Sequence, residues 1–323
     1  MVRPSIRQLE SLVAVADARN FRKAAATLGI SQPALSASVQ GAERLLGVQV
    51  FERDRRAVLI TPAGEEIVGR SRLALASVDA VGEAARRRGE PLVGPLRLGV
   101  IPTIAPYWLP SLLPGVRERY PRLELVLRED QTARLLAQLD AGQLDLALLA
   151  LPVPGDFTTA AIGHEHFLVA APRGAAVLHP HRALTERDLD DQTVLLLEDG
   201  HCLRDQALAV CERSGAVEAM AVRATSLPTL VQMVAGGLGI TLLPEAAAAT
   251  LVQPRGPVEV RPLAKPQPGR TVGLAWRTSS ARLREFKLLA EVMREQADKM
   301  LVNLRAHGLD PAAVTRARAR RGS

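Results

Sequence analysis

The feature that most limits how this chain can fold is an alternation that begins after Gly89. Strand-like apolar runs LRLGVI (96–101), LELVLRED (123–130) and LDLALLAL (144–151) are separated by the helix-favouring stretches SLLPGVRERY (111–120) and TARLLAQLDAG (132–142). Such alternation implies parallel sheets with crossover helices on their faces. A second set begins with FLVAAP (167–172), continues through TVLLLEDG (193–200) and ends near GITLLPEAAA (239–248). The strand TVGLAWR (271–277) and a helix over about 280–300 return to the first set. This predicts two α/β subdomains joined by crossing strands, with a cleft between them where loops and helix N-termini meet a ligand.

The first 90 residues read differently. Ser5 and Gln8 have capping-box spacing, and Ile6, Leu9, Val13 and Ala16 recur behind them at helical intervals, so a helix is predicted over 6–18. FRKAAATL (21–28) favours helix, Gly29 supplies a left-handed stop, and Ser31 caps a further helix through SQPALSASVQGAERLLG with Pro33 in its first turn. Two short helices on a tight glycine turn make a helix-turn-helix. VQVFERDRRAVLITPAG (48–64) then reads as a two-stranded wing with a charged tip, and Thr61-Pro62 opens a helix over about 62–88. That helix carries Ile67, Val68, Leu73, Leu75, Val78 and Val81, an apolar stripe that suits a partner helix from another subunit. The resulting division is 1–61 for the winged helix-turn-helix, 62–90 for the linker helix, and 91–301 for the effector region. Within that region 91–165 with 269–301 forms one subdomain and 166–268 the other, and a basic tail, 302–323, is expected to be disordered.

Composition narrows the function classes. The 323 residues are 47% hydrophobic and 23% charged, the balance of a soluble globular protein. No run approaches the roughly 20 apolar residues of a membrane span, and MVRPSIRQLESLVAVAD interrupts its apolar positions as a signal peptide does not, so a cytoplasmic protein without membrane contact is expected. The net charge of +7 is concentrated at the two ends of the chain, which suggests a polyanion partner for the N-terminal part. The six histidines lack metal spacing with the cysteines, and neither a phosphate-binding glycine fingerprint nor a Ser–His–Asp set is present; no metal or cofactor is predicted.

Both cysteines, Cys202 and Cys211, fall in DGHCLRDQALAVC (199–211). In an unbroken helix nine residues rise about 13 Å, and the two side chains point to opposite faces. A disulfide needs Cα atoms within roughly 4.4–6.8 Å. Either the cysteines never meet, or meeting refolds the segment.

The stretch FRKAAATLGISQPALSASVQGAERLLGVQVFERDRRAVLITPAGEEI resembles the DNA-binding domain of LysR-type transcriptional regulators, and the resemblance runs on through the effector region over about 300 residues. Within that family LLLEDGHCLRDQALAVC, RATSLPTLVQMVAGGLGITLLP and QTARLLAQLDAGQLDLALLAL are similar to the branch that senses hydrogen peroxide. The resemblance implies a winged helix-turn-helix joined by a long linker helix to two Rossmann-like subdomains of the periplasmic-binding-protein-like kind. It implies double-stranded operator DNA as partner, with Gln32, Pro33 and Ser36 at the bases, Ser31 and Gln40 beside them, and Arg22, Lys23, Arg53, Arg55 and Arg56 on phosphates. Ala24, Ala25 and Leu35 read as packing.

For the effector region the resemblance implies that Cys202 is the peroxide-reactive thiolate and Cys211 its resolving partner. His201, Arg204 and a helix start would favour the Cys202 thiolate, lowering its pKa. Thr103 and Thr132, with Gly200, His201 and Asp205, would hold hydrogen peroxide, Asp205 orienting water or His201; each threonine equally suits a helix cap. Disulfide formation would unwind about 200–215, and cellular thiol reductants would reset it. The family further implies a homotetramer built as a dimer of dimers, contact with RNA polymerase, and activation of catalase and alkyl hydroperoxide reductase genes, without enzymatic turnover. Two other readings remain at this point: a LysR-type regulator answering a non-redox small molecule in the cleft, with the cysteines incidental, and a thiol peroxidase with a DNA-binding appendage.

Overall fold

The structure, a computed structural model, describes residues 3–53, 58–86, 90–179 and 184–306. The chain divides into two compact units, one formed by residues up to 91 with 137–144, the other by 92–136 with 145 onward.

The first unit is built from helices with well-made ends. Helix α1 (Ile6–Ala18) starts at a reciprocal capping box, in which the Ser5 hydroxyl accepts from the Gln8 amide and the Gln8 side chain accepts from the Ser5 amide. Helix α2 (Phe21–Thr27) is capped by Asn20, and Gly29 follows at φ 65°, the left-handed conformation expected of it. Helix α3 (Gln32–Leu46) is capped by Ser31, carries Pro33 in its first turn and closes on Gly47 at φ 68°. Leu12, Val15, Ala24, Ala25, Leu35, Val39 and Phe51 form the core of this unit. Strands β1 (Phe51–Arg53) and β2 (Val58–Ile60) make the antiparallel wing. The Glu43 carboxylate ties the wing to α3 by accepting from the Val50 and Phe51 amides at 2.9 and 3.1 Å. The charged tip with Arg55 and Arg56, and the side chain of Arg53, lie outside the described residues.

Helix α4 (Pro62–Arg86) divides the stripe expected along it. Val68 is buried and Ile67 packs on the same core, while Asp17 of α1 pairs with Arg72 of α4. Further along, Val78 and Val81 are 42% and 73% exposed, apolar positions left uncovered by this unit.

The second unit contains β3 (Gly94–Val100), α5 (Ala105–Arg119), β4 (Leu123–Glu129), the start of α6 (Thr132–Asp140), β5 (Leu146–Leu151), β6 (Phe157–Pro172), β7 (Thr193–Leu197), α7 (Cys202–Ser214), β8 (Val217–Ala224), α8 (Leu227–Ala235), β9 (Thr241–Pro244), α9 (Glu245–Leu251), β10 (Val258–Pro262), β11 (Gly269–Arg277) and α10 (Leu283–Leu304). One sheet has the order β10-β6-β11-β5-β3-β4 with β9 also on β6, and β7 pairs with β8 in a second.

The parallel pairing expected from the alternation is present, and antiparallel pairing at the crossing strands accompanies it. β3 runs parallel to β4 and β5, and β7 to β8, but β11 is antiparallel to β5 and β6, and β6 is antiparallel to β9 and β10. The reason lies in the crossing strands. The first part of β6 pairs with β11 and its last residues with β9 and β10, so β6 carries the chain out of one strand set and into the other. β11 carries it back, and a return strand beside an outgoing one must be antiparallel. The expected disorder of the tail needs correction at its start: α10 continues to Leu304, and Arg305 pairs with Glu245 of α9 at 3.0 Å. Residues 307–323 lie outside the described residues.

Candidate functional site

Strand β7 delivers the chain to a loop, Glu198–His201, and Cys202 is the first residue of α7. Both cysteines are thiols at opposite ends of one unbroken helix, so about 13 Å of helical rise separates them. Cys202 is half-buried at the helix N-terminus, where the dipole favours an anion. Cys211 is buried, and its thiol is pushed up to about 11, chiefly by desolvation and next by the Glu218 carboxylate. It is therefore a neutral group at neutral pH, suited to resolving rather than initiating a thiol reaction.

The neighbours of Cys202 are arranged differently from expectation. His201 is buried at the N-cap position without making a cap bond, and its Nε2 lies 3.9 Å from a Glu198 carboxylate oxygen. Arg204, expected as a cation beside the thiol, directs its guanidinium to Asp199 and Glu218, each at 2.8 Å. Asp205 is exposed on the helix surface and is not among the partners of His201. Its expected orienting role finds no support in that position, because the first turn aims it toward solvent.

Neither threonine caps a helix. Thr103 is buried, its hydroxyl accepts from Arg270 Nη1 and its carbonyl accepts from Arg270 Nη2, both at 2.8 Å. Arg270 is in turn paired at 2.8 Å with Glu165, and both side chains are fully buried. Glu165 also accepts from the Trp108 indole and the Ala246 amide, so a charge removed from water is satisfied on several sides. Thr132 begins α6, and its buried hydroxyl has no hydrogen-bond partner. An orphaned hydroxyl of this kind is costly unless a small polar molecule completes it. The preceding residue, Gln131, donates to the Asp199 carbonyl at 3.4 Å, and a Cβ on Gly200 would strike the Gln131 side chain. Gly200 has φ 93°, so glycine satisfies both the backbone turn and this close approach. The start of α6 thus meets the loop that carries His201 and Cys202.

Sequence reasoning did not find Arg270 and Glu165, which lie 105 positions apart and meet only because β6 and β11 pair. Nor did it find Glu218, on a strand whose Ala-rich sequence carries no strong alternation.

In the first unit Gln32, Pro33 and Gln40 are exposed on α3, Ser36 is half-buried beside them, and Ser31 is engaged as the cap. Arg22 and Lys23 are exposed on α2. Ala24, Ala25 and Leu35 are buried in the core. The polar side chains at the start of α3 therefore face outward together, as a groove-reading helix requires.

Comparison with known proteins gives two family matches. The LysR substrate binding domain matches residues 89–298, and the bacterial regulatory helix-turn-helix protein, lysR family, matches residues 6–65. The chain belongs to the LysR family. Among LysR-family relatives, a probable hydrogen peroxide-inducible genes activator of Streptomyces viridosporus is 46% identical over 299 residues, covering 90% of this chain and 94% of that protein. Among solved LysR-family structures, a full-length cysteine-to-aspartate variant of Pseudomonas aeruginosa OxyR matches with a TM-score of 0.75 at 35% identity, over 90% of this chain and 98% of that one. A hydrogen-peroxide-bound, cysteine-substituted OxyR of Corynebacterium glutamicum matches with a TM-score of 0.65 at 36% identity, over 96% and 99%.

Proposed function

We propose that this protein is a peroxide-responsive transcription regulator of the OxyR kind, in which residues 1–61 bind operator DNA, α4 pairs subunits and residues 91–301 sense the oxidant. The observation that carries the reading is a pair of thiols at the two ends of one helix, with an unsatisfied buried hydroxyl on the neighbouring element. Thr132 and Thr103 hold hydrogen peroxide, and Arg270 fixes the Thr103 hydroxyl so that its own proton points to the ligand. Gly200 and His201 line the same site. The relative solved with peroxide bound supports this assignment by its similarity over nearly the whole chain.

The Cys202 thiolate attacks one peroxide oxygen. The S–O bond forms as the O–O bond breaks, and the departing hydroxide takes a proton to leave as water, giving a sulfenic acid. Cys211 then displaces hydroxide from that sulfur, loses its own proton, and a second water leaves with the disulfide. Because a regular helix holds the sulfurs too far apart, the segment from about 200 to 215 unwinds, and the surface offered to a neighbouring subunit changes. The DNA-binding heads of a tetramer, a dimer of dimers, are thereby respaced on the operator, with consequences for RNA polymerase. Gln32 and Ser36 read base edges, and Arg22 supplies phosphate contact. The protein turns over no substrate: each oxidation consumes one peroxide, and cytoplasmic thiol reductants restore the reduced form. No described helix is long and apolar enough to cross a membrane.

The test is peptide mapping of the peroxide-treated full chain together with operator footprints. A Cys202–Cys211 crosslink, new protease cleavage between 200 and 215 and a shifted footprint are expected, all lost in Cys202→Ser. A Cys202→Ser protein whose footprint still answers peroxide would overturn the reading.

A further inference from the structure

Helix α7 is held in place by charges it does not own. Arg204, in its first turn and only 8% exposed, donates from Nε to Asp199 in the preceding loop and from Nη1 to Glu218 on β8, each at 2.8 Å. Arg223, further along β8, closes the circuit with Nη1 2.8 Å from Asp199 and Nη2 3.9 Å from Glu218. The four charges alternate in sign, and each carboxylate is shared between two guanidinium groups. Such a ring is worth more than its pairs taken singly, since removing one member leaves a neighbour part-buried and uncompensated.

We infer that this ring is a latch on the reduced protein, in which Glu218 and Arg204 act as positioning residues that set how readily the Cys202–Cys211 disulfide forms. The inference rests on the disulfide reading above. Its geometric basis is that the latch spans the two cysteines. Arg204 follows Cys202 by two residues, and Glu218 follows Cys211 by seven, across the left-handed turn at Gly215. Bringing sulfurs from about 13 Å of helical separation to disulfide distance displaces the segment carrying one partner against that carrying the other by several ångströms. A contact of 2.8 Å does not survive that displacement. Glu218 acts a second time, because its charge opposes ionisation of the buried Cys211 thiol. The latch therefore favours the dithiol both by holding the helix and by keeping the resolving sulfur protonated.

The test is the thiol–disulfide equilibrium of the full chain in glutathione buffers. In that exchange two protein thiols give up two electrons and two protons to glutathione disulfide, which leaves as two glutathione thiols. Glu218→Gln keeps the side-chain shape and removes the charge. It is expected to raise the equilibrium constant for the protein disulfide about tenfold, a potential about 30 mV more negative. Arg223→Gln, at the exposed rim, is expected to raise it about threefold, and serves if the first variant folds poorly. Raising salt from about 0.05 to about 0.5 M is expected to move the wild type in the same direction and Glu218→Gln much less, because the ring is partly open to solvent. Equilibrium constants of both variants within twofold of wild type, with the wild-type disulfide forming normally, would overturn the latch alone. Failure of the wild type to form the disulfide at all would overturn the redox reading and the latch with it.

Discussion

Two helices of similar length, α3 with 15 residues and α7 with 13, both close on a left-handed glycine, Gly47 and Gly215, but are held in different ways where they begin. α3 carries its stability in its own ends: a Ser31 cap, Pro33 in the first turn, Arg44 in the last and Gly47 beyond it. Its inner face, Leu35, Val39 and Ala42, belongs to one continuous core. α7 begins at a His201 that makes no cap bond, and its first turn is pinned by carboxylates of a loop and a strand. A helix that must present a fixed surface to DNA gains from local, independent stabilisers. A helix that, on the function proposed above, is given up when two sulfurs join is better held by contacts that break together.

The largest effect separating the two is expected from Leu35→Ala. Leu35 is fully buried at the centre of the first unit, and truncation there costs about 2–5 kcal/mol through lost transfer energy and a residual cavity. Denaturant unfolding followed with a probe in the first unit should show that loss, while the glutathione equilibrium of the cysteines should not change. A shift of more than about threefold in that equilibrium would mean that the two helices are not independently stabilised.

Next comes the pH dependence of α7. The Cys211 thiol is raised from 9.0 to about 11 in the folded, reduced protein, first by burial and then by Glu218. A raised folded-state pKa means that the native state binds this proton more tightly than the unfolded chain does. Its contribution is fully present below about pH 9 and is lost as pH rises toward 11, amounting to about 2–3 kcal/mol. Cys211→Ala removes the titration, so the reduced wild type should lose that much more stability than the variant across this window. Parallel curves for the two proteins would place the Cys211 thiol in a far more solvated setting.

How much of this was legible in the sequence follows the same division. Capping boxes, the Gly29 turn, Pro33 and the wing are local patterns, and the structure keeps each where the spacing puts it. The apolar runs of β3, β4 and β5 were equally plain, because crossover strands announce themselves by composition. The first half of β6 was not, since Thr158, Thr159, His164 and His166 break the apolar pattern that begins at Phe167. Strands β8 and β10 were missed for the same reason, their apolar pattern being broken by alanine and charge. The cysteine helix and its loop could be placed by residue type, but the partners of Arg204 and Thr103 could not. Glu218 and Arg270 reach them through strand pairings that no local spacing encodes.

The smallest effects sharpen the comparison most, because they test the helix ends directly. The Ser31 hydroxyl accepts from the Ala34 amide at 3.3 Å, and Ser31→Ala should cost the first unit about 1 kcal/mol, read as a lower denaturant midpoint. On α7 the corresponding local contribution is Asp205, an exposed acidic residue in the first turn that interacts favourably with the helix dipole. Asp205→Asn should weaken the helix by about 0.3–1 kcal/mol, moving the glutathione equilibrium toward the disulfide by at most about fivefold. The order matters more than either number. If Asp205→Asn shifts the disulfide equilibrium further than Glu218→Gln does, α7 is held by its own end as α3 is, and the contrast between a helix built to stay and a helix built to leave is lost.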